Sequence, residues 1–260
     1  MLLKDQLNRP LTPIQVPTRV VSLVPSQTEL LFDLGLENHI VGLTKFCVRP
    51  KEARKIKKVV GGTKNIHIDK IKMLNPDLIM CNKEENTKEI VNTLSKVAPV
   101  YVSDINSVQD NLNFIADCGV IFNVESKADQ LIEKINKALK SLEIEIKERK
   151  EVRAAYFIWK NPWMVAGGNT FINHLMNLNK ITNVFEKEER YPEITLGHAN
   201  LKTADYIFLS SEPFPFKEKH ILELHQILSN TKVLLVDGEY FSWYGSRLLK
   251  AVNYFKNFIS

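Results

Sequence analysis

Residues 125–150 constrain the fold more than any other part of this chain. The stretch contains no Gly and no Pro, and charged residues fill the positions between its apolar ones. The apolar residues recur at steps of three and four: Ala128, Leu131, Ile132, Ile135, Leu139, Leu142 and Ile146. This pattern predicts one amphipathic helix of roughly 35–40 Å. A coiled-coil segment is the alternative, but the apolar stripe is short, so we interpret the stretch as a connecting helix.

The residues before this helix alternate between short apolar runs and amphipathic stretches. The runs predict buried strands at residues 19–24, 40–43, 77–81 and 100–102, separated by helices. Ser26 and Glu29 have the spacing of a capping box that opens the first helix, and Gly35 is placed to end it. Strands separated by helices predict a parallel sheet covered on both faces.

The same alternation resumes after the connecting helix. Strands are predicted at 154–159, 206–209 and 233–236, and Thr170 is placed to cap a helix. Asp77 and Asp205 each precede an apolar strand, so the two halves of the chain share a local sequence pattern. We therefore predict an α/β protein of two Rossmann-like three-layer α/β/α lobes joined by one long α-helix. The predicted parts are an N-terminal lobe at 1–122 with a leading arm at 1–17, a connecting helix at 123–150, and a C-terminal lobe at 151–260.

Composition narrows the class of protein and its partners. The 260 residues are 44% hydrophobic and 25% charged, with a net charge of +5, and the basic residues read as spread along the chain. We therefore expect no nucleic-acid partner. The first ten residues hold no apolar run of the length that a secretory signal needs, and the three cysteines form no C-x-x-C pair. As written, the sequence predicts a cytoplasmic protein, or a periplasmic one if a leader was trimmed.

Signatures of catalysis are absent from the sequence, whereas aromatic loops are abundant. There is no phosphate-cradling P-loop, no dinucleotide glycine motif and no nucleophile elbow, and no two histidines have i,i+4 spacing. We expect no catalytic residue and no metal site. All three Trp lie in loops that follow predicted strands, at 159–163 and 240–244. The carboxyl ends of parallel strands hold ligands in open α/β sheets, so these loops predict a binding cleft.

Several motifs give the chain a family resemblance. Residues 19–30 read RVVSLVPSQTEL, and 35–44, 60–62, 75–79 and 162–171 carry further matches in the same order. The chain resembles substrate-binding proteins of ABC importers for cobalamin and iron-siderophores, closest to the cobalamin-binding branch. The resemblance implies two lobes on one rigid helix, with a ligand in the cleft between them. It also implies no intrinsic cofactor and a metal-bearing ligand, cobalamin or another corrinoid, or an iron chelate of siderophore or haem type.

The resemblance also suggests site residues, matched position by position. The expected ligand-binding residues are Pro25, Ser26, Phe46, Arg49, Thr63, Trp163, Tyr240 and Trp243. Thr63 stands where cobalamin binders often have Trp. Arg49 could pair with a carboxylate or phosphate of the ligand, or simply be exposed beside the basic run that follows it.

Partners follow from the same resemblance. Family members dock on an ABC permease through one acidic residue of each lobe. Asp69 holds the first of these positions, while Ser242 stands at the second with Glu239 nearby. Together with the absent leader, this leaves a permease partner open. We expect a monomer. The alternative function is a cytoplasmic corrinoid- or tetrapyrrole-handling enzyme or chaperone, for which His198 and Glu212 are the candidate titratable residues.

Overall fold

The computed structural model describes residues 3–11, 15–228 and 231–259, and the chain divides into two compact units. Unit 1 comprises Met1–Ile105, Gln109–Ile135 and Tyr244–Arg247, and unit 2 comprises Asn106–Val108, Asn136–Trp243 and Leu248–Ser260. Residues 1, 2 and 12–14 of the predicted leading arm lie outside the described residues. The predicted domain boundaries after residues 122 and 150 stay predictions.

Unit 1 contains a five-stranded sheet in the order β3-β2-β1-β4-β5. Every neighbouring pair of its strands is parallel. The strands are β1 (Val20–Ser22), β2 (Ile40–Leu43), β3 (Lys58–Val59), β4 (Leu78–Asn82) and β5 (Val100–Ser103). All residues of β1, β4 and β5 are buried, which explains why they read as continuous apolar runs rather than as an alternating pattern. The predicted parallel sheet is present.

Helices connect these strands. They are α1 (Pro25–Asp33), α2 (Ala53–Ile56), α3 (Ile68–Met73), α4 (Lys88–Leu94) and α5 (Val108–Phe122), and a 3-10 turn covers Glu37–His39. Gly35 ends α1 as predicted, with a φ of +73°. Its N–H donates to Phe32 O at 2.9 Å, and the N–H of Leu36 donates to Leu31 O at 2.9 Å. This pair of bonds is a Schellman motif, which needs a left-handed residue at the position of Gly35.

The long helix α6 (Glu125–Glu145) begins in unit 1 and ends in unit 2. Its 21 residues correspond to roughly 30 Å. The predicted helix to residue 150 is therefore too long by about one turn, because a turn follows Glu145 although the Ile146 N–H still donates to Leu142 O at 2.9 Å. Ala128, Ile135 and Leu142 are buried on its predicted apolar stripe.

Unit 2 contains a six-stranded mixed sheet in the order β11-β10-β6-β7-β9, with β8 also paired to β6. The strands are β6 (Val152–Trp159), β7 (Trp163–Val165), β8 (Ile181–Asn183), β9 (Glu193–Ile194), β10 (Tyr206–Ser210) and β11 (Lys232–Val236). The helices are α7 (Phe171–Leu178), α8 (Glu218–His225), α9 (Gly238–Ser242) and α10 (Arg247–Lys256), and a 3-10 turn covers Ala199–Thr203. Thr170 caps α7 as predicted, because its side chain accepts the Asn173 N–H at 3.1 Å.

The pairing of β7 differs from the sequence-based expectation. β7 pairs antiparallel with β6 and with β9, so residues 160–162, within the predicted loop at 159–163, form the turn of a hairpin. Asn161 occupies this turn with a φ of +64°, which asparagine tolerates better than most residues. The run of β7 is only three residues long, too short for a period-2 pattern to reveal it.

The two units share one hydrogen-bonding arrangement at the start of a strand. It involves Asp77 in unit 1 and Asp205 in unit 2, the two residues whose similar placement the sequence predicts. In unit 1 the backbone N–H of Arg19 donates to Asp77 Oδ1 at 2.9 Å. In unit 2 the backbone N–H of Arg153 donates to Asp205 Oδ2 at 2.8 Å. Each arginine side chain also donates to a backbone carbonyl just before its aspartate. The two sheets therefore begin in the same way, at β1 beside β4 and at β6 beside β10.

The cysteines are core residues. Cys47, Cys81 and Cys118 are buried and free, and burial raises the pKa of the Cys81 thiol to about 12. Such a thiol stays protonated at neutral pH and behaves as a small apolar side chain. Among the described residues, no helix combines the length and the apolar composition needed to cross a bilayer.

Candidate ligand-binding loops

The first loop of unit 1 joins β1 to α1 and does not use the predicted capping box. Val24 is the N-cap residue, no side chain caps the helix, and Pro25 occupies its first turn. Ser26 is buried and bonds the Tyr244 hydroxyl instead. Glu29 is buried as well, and its carboxylate accepts a hydrogen bond from Arg247 Nε at 2.8 Å. The predicted cap fails because both side chains are engaged by residues more than 200 positions away.

A buried polar network lies behind this loop. Gln27 Nε2 donates to the Cys81 carbonyl at 2.9 Å, and it lies 2.8 Å from Ser103 Oγ and 3.0 Å from the Tyr244 hydroxyl. Burial raises the pKa of Tyr244 above its usual range, so its hydroxyl stays protonated. The sequence placed Tyr244 in an aromatic loop of the second block, whereas the structure places it in unit 1. No local pattern signals this long-range placement.

The second loop of unit 1 follows β2 and presents an aromatic ring. Phe46 is 48% exposed, and its ring lies 3.1 Å from the point where a side chain on Gly62 would begin. Lys45 Nζ lies 5.0 Å from the centroid of that ring. Arg49 is half-buried. The loop thus combines a flat apolar surface with a positive charge beside it.

Thr63, on the third loop, is buried rather than presented to solvent. Its carbonyl accepts a bond from Asn86 Nδ2 at 2.8 Å, and its side chain bonds the carboxyl group of Glu85. Desolvation raises the pKa of Glu85, against the opposing effects of Thr63 and Lys64. Glu85 follows β4 and was missed by the sequence analysis, because a charged residue after a strand reads as ordinary loop.

In unit 2, Trp163 belongs to an aromatic cluster. Its ring stacks nearly parallel on Phe216 at 6.1 Å and meets the edge of Phe157 at 5.6 Å. Lys160 Nζ lies 5.0 Å above the Trp163 ring. Part of the aromatic surface of Trp163 therefore packs against its own unit. Trp159, which is not among the expected ligand contacts, is the more exposed tryptophan at 38%.

Tyr240 lies within α9 and Trp243 directly follows it, and the two side chains have different surroundings. Tyr240 is half-buried and stacks on Tyr254, with ring centroids 4.8 Å apart. Trp243 is only 6% exposed, and its indole N–H donates to Glu212 Oε1 at 2.8 Å. The Ser242 hydroxyl donates to the same oxygen at 2.7 Å. Little of Trp243 is left for a ligand, whereas Tyr240 keeps an accessible surface.

The two expected docking acids also differ. Asp69 lies in the first turn of α3 with its side chain 92% exposed, and its nearest basic partner is Lys72 at 3.5 Å. Glu239 is half-buried in the first turn of α9, where its backbone N–H donates to Asp237 Oδ1 at 3.0 Å. Asp69 is fully presented for a partner, and Glu239 much less so.

The candidates for the enzymatic alternative have structural contacts. His198 Nδ1 accepts the Asn200 N–H at 3.2 Å, and its ring lies 5.1 Å from Phe185. Glu212 accepts the two bonds from Ser242 and Trp243 described above. The described residues contain no group of three His, Cys, Asp or Glu side chains that could hold a metal ion.

The chain is similar to proteins of known family and structure. A family model described as periplasmic binding protein matches residues 20–233. An uncharacterised ABC transporter substrate-binding lipoprotein of Bacillus subtilis is 28% identical over 199 residues, which are 74% of this chain and 63% of the lipoprotein. The chain therefore spans less than two thirds of that relative's length. A vitamin B12-binding protein of Vibrio parahaemolyticus is 24% identical over 194 residues, 74% of this chain and 70% of that protein.

Solved structures agree on the architecture. A periplasmic heme-binding protein from Pseudomonas aeruginosa superposes with a TM-score of 0.80 at 17% identity, over 94% of this chain and 92% of that one. At such low identity the likeness shows the fold alone. The predicted architecture of two α/β lobes on a long helix is confirmed.

Proposed function

Because the chain belongs to the family of periplasmic binding proteins, we propose that it is the substrate-binding protein of an ABC transporter and binds a metal-bearing cofactor or chelate. The observation that carries the proposal is the family match over residues 20–233, which includes the loops after β1 and β2 in unit 1 and the loops after β6 and β10 in unit 2. Membership in a binding-protein family makes the chain a binding protein rather than an enzyme. The structural contacts of His198 and Glu212 agree, since neither side chain is set apart for proton transfer.

For the ligand we propose a tetrapyrrole, with a corrinoid first and haem second. The names of the vitamin B12-binding relative and of the heme-binding structural neighbour support this class. The loop after β2 supports it physically. The half-exposed Phe46 ring offers a flat apolar surface, and the Lys45 ammonium beside it suits the carboxylate or phosphate groups at the rim of such ligands.

Arg49 and Tyr240 are proposed as further ligand contacts, since both keep part of their surface accessible. Pro25, Trp163 and Trp243 stay predictions as contacts, and the buried Ser26 and Thr63 are proposed to support neighbouring side chains rather than touch the ligand.

An ABC permease is the proposed partner, in line with the name of the Bacillus relative. Asp69 is the side chain best presented for that contact. We also propose that the protein works on the outer side of the cytoplasmic membrane, because the relatives are named as lipoproteins and periplasmic proteins. The cytoplasmic location predicted from the first residues finds no support in these relatives.

Isothermal titration calorimetry of the purified protein identifies the ligand. Cobinamide, cyanocobalamin and hemin are titrated separately, and we expect one of them to bind with a stoichiometry of one and a Kd of about 1 μM or tighter. The iron-free porphyrin serves as a control for non-specific stacking. The absence of heat with all three ligands at about 50 μM would contradict the tetrapyrrole assignment.

A further inference from the structure

The positive charge of this protein is concentrated in one short segment. Residues 45–58 hold seven basic residues and one acidic residue, a charge of +6, while the whole chain carries +5. The rest of the chain therefore sums to −1. This corrects the sequence-based view that the basic residues are spread along the chain.

The structure places most of this charge along one margin of the unit 1 sheet. β3 is the edge strand of that sheet, and α2 precedes it. Lys51, Arg54, Lys55 and Lys58 are exposed, and the apolar Ile56 among them is 59% exposed. We call these five residues the basic edge. The buried Ala53 anchors α2 from the other side, so the charged side chains extend outward.

The charges of the basic edge are not neutralised within the protein. None of its four basic side chains forms an ion pair with a carboxylate among the residues that the structure describes. Arg54 donates one bond, to the Lys45 carbonyl at 3.0 Å. Elsewhere lysines do find partners, such as Lys83 with Asp104 and Lys256 with Glu145, both at 2.6 Å. The basic edge is therefore a positive surface open to an external anion.

We propose that the basic edge docks on the surface of a membrane that contains anionic phospholipid. Exposed lysine and arginine side chains are attracted to the negative surface potential of such a membrane. Ile56 lies between Lys55 and Lys58 in the sequence and is exposed, so its aliphatic side chain can enter the boundary between headgroups and acyl chains. The combination of four unneutralised cations around one exposed aliphatic residue favours a lipid surface over a partner that offers charge alone.

This docking is independent of the proposed ligand, because none of the five residues is among the proposed ligand contacts. Two other uses of the basic edge are physically reasonable. Lysines on an edge strand prevent edge-to-edge aggregation of sheets, and clustered cations bind nucleic acid without sequence preference. Each of these two alternatives leads to experimental results that differ from those expected for membrane docking.

Cosedimentation with vesicles tests the proposal on the full chain without ligand. Vesicles of phosphatidylcholine alone and with 40% phosphatidylglycerol are compared at low and high salt. We expect binding only to the anionic vesicles, with loss at high salt because exposed charges are screened. Changing Lys51, Arg54, Lys55 and Lys58 together to Gln should abolish binding, since each neutralised charge is worth about fivefold in the partition coefficient. Ile56→Ser should weaken binding with the charge unchanged.

The matched control changes four exposed lysines elsewhere, Lys134, Lys140, Lys187 and Lys202, to Gln, which removes the same net charge. This control should keep binding within a factor of about three. Equal losses in both quadruple variants would show a net-charge effect and overturn the proposal. The proposal would also be overturned if wild type does not bind vesicles and the basic-edge variant aggregates. That result would indicate that the basic residues prevent edge-to-edge aggregation of the sheet. Tighter binding to duplex DNA than to anionic vesicles at the same salt would also overturn the proposal.

Discussion

The pKa of Glu85 links the stability of unit 1 to pH. Its carboxyl group bonds Thr63 and lies near Lys64 and Glu84, and desolvation outweighs these neighbours and raises its pKa. The folded protein therefore holds the Glu85 proton more tightly than the unfolded chain does. Stability contributed by this group is present below the unfolded pKa and is lost as the pH rises through the folded pKa.

The first prediction concerns Glu85→Gln. The variant cannot ionise but keeps an oxygen for the Thr63 bond, so it should melt a few degrees higher than wild type at pH 7. The difference should shrink as the pH falls and vanish well below the unfolded pKa of about 4.5, where Glu85 is protonated in both states. Differential scanning fluorimetry across this pH range measures it.

Glu89→Gln is the matched control, because hydrogen bonds from its own backbone N–H and from Thr87 lower the pKa of this fully exposed carboxyl. It should melt no higher than wild type at pH 7. A Glu85→Gln variant that is less stable than wild type at pH 7 would mean that the carboxylate is favourable there, contrary to the desolvation argument.

Residue roles were the hardest part to predict from sequence. Ser26 and Glu29 have the spacing of a capping box, yet Glu29 pairs with Arg247, far along the chain. A local motif predicts local hydrogen bonds only when no tertiary partner competes for the side chains. The same reason hid the bond between Trp243 and Glu212, which leaves little of an expected ligand contact exposed.

At the scale of elements, the local sequence was enough to predict helices and strands that are long or that end at a characteristic residue. The buried apolar runs located the strands, and Gly35 and Thr170 located helix ends. β3, β7, β8 and β9 were missed, because strands of two or three residues carry no readable period unless they lie in a longer apolar run, as β1 does. The end of α6 at Glu145 was not predicted, because residues with helix propensity continue beyond the point where the helix stops.

A second prediction tests the end of α1. Gly35→Ala places a Cβ on a residue with a φ of +73° and only 2.6 Å from Lys127 Nζ, which donates to the Leu34 carbonyl. The lysine end can move, but the backbone strain remains. We expect a loss of about 1 kcal/mol, seen as a decrease of about 2–4 °C in Tm.

The control is Gly197→Ala, where an added Cβ meets no atom within 4 Å and the φ is not in the left-handed region. It should be neutral or slightly stabilising, because alanine restricts the unfolded chain. Equal losses in both variants would show that the glycine conformation at the end of α1 is not what matters.

At the scale of the molecule, the architecture could be read from the order of elements, and the family from the order of motifs. The surfaces that face a ligand could not be predicted from the sequence, because they depend on which side chains are buried against other residues. Phe46 stays half-exposed over Gly62, whereas Trp163 packs on Phe216. Both are aromatic residues in strand-end loops, and nothing in the sequence separates them. The cluster of basic residues is present in the sequence, but only the structure shows that it lies along an edge strand.

The most direct test of the account measures how the exposed ring of Phe46 contributes to ligand binding. The tetrapyrrole identified by calorimetry is titrated into wild type, Phe46→Ala and the control Met73→Ala, which removes a more exposed apolar side chain of α3. Visible absorbance follows the bound ligand. We predict saturation at one equivalent for wild type and the control, and roughly tenfold weaker binding for Phe46→Ala. Equal affinities in all three proteins, or no absorbance change with wild type, would contradict the central claim that this chain binds a tetrapyrrole through its strand-end loops.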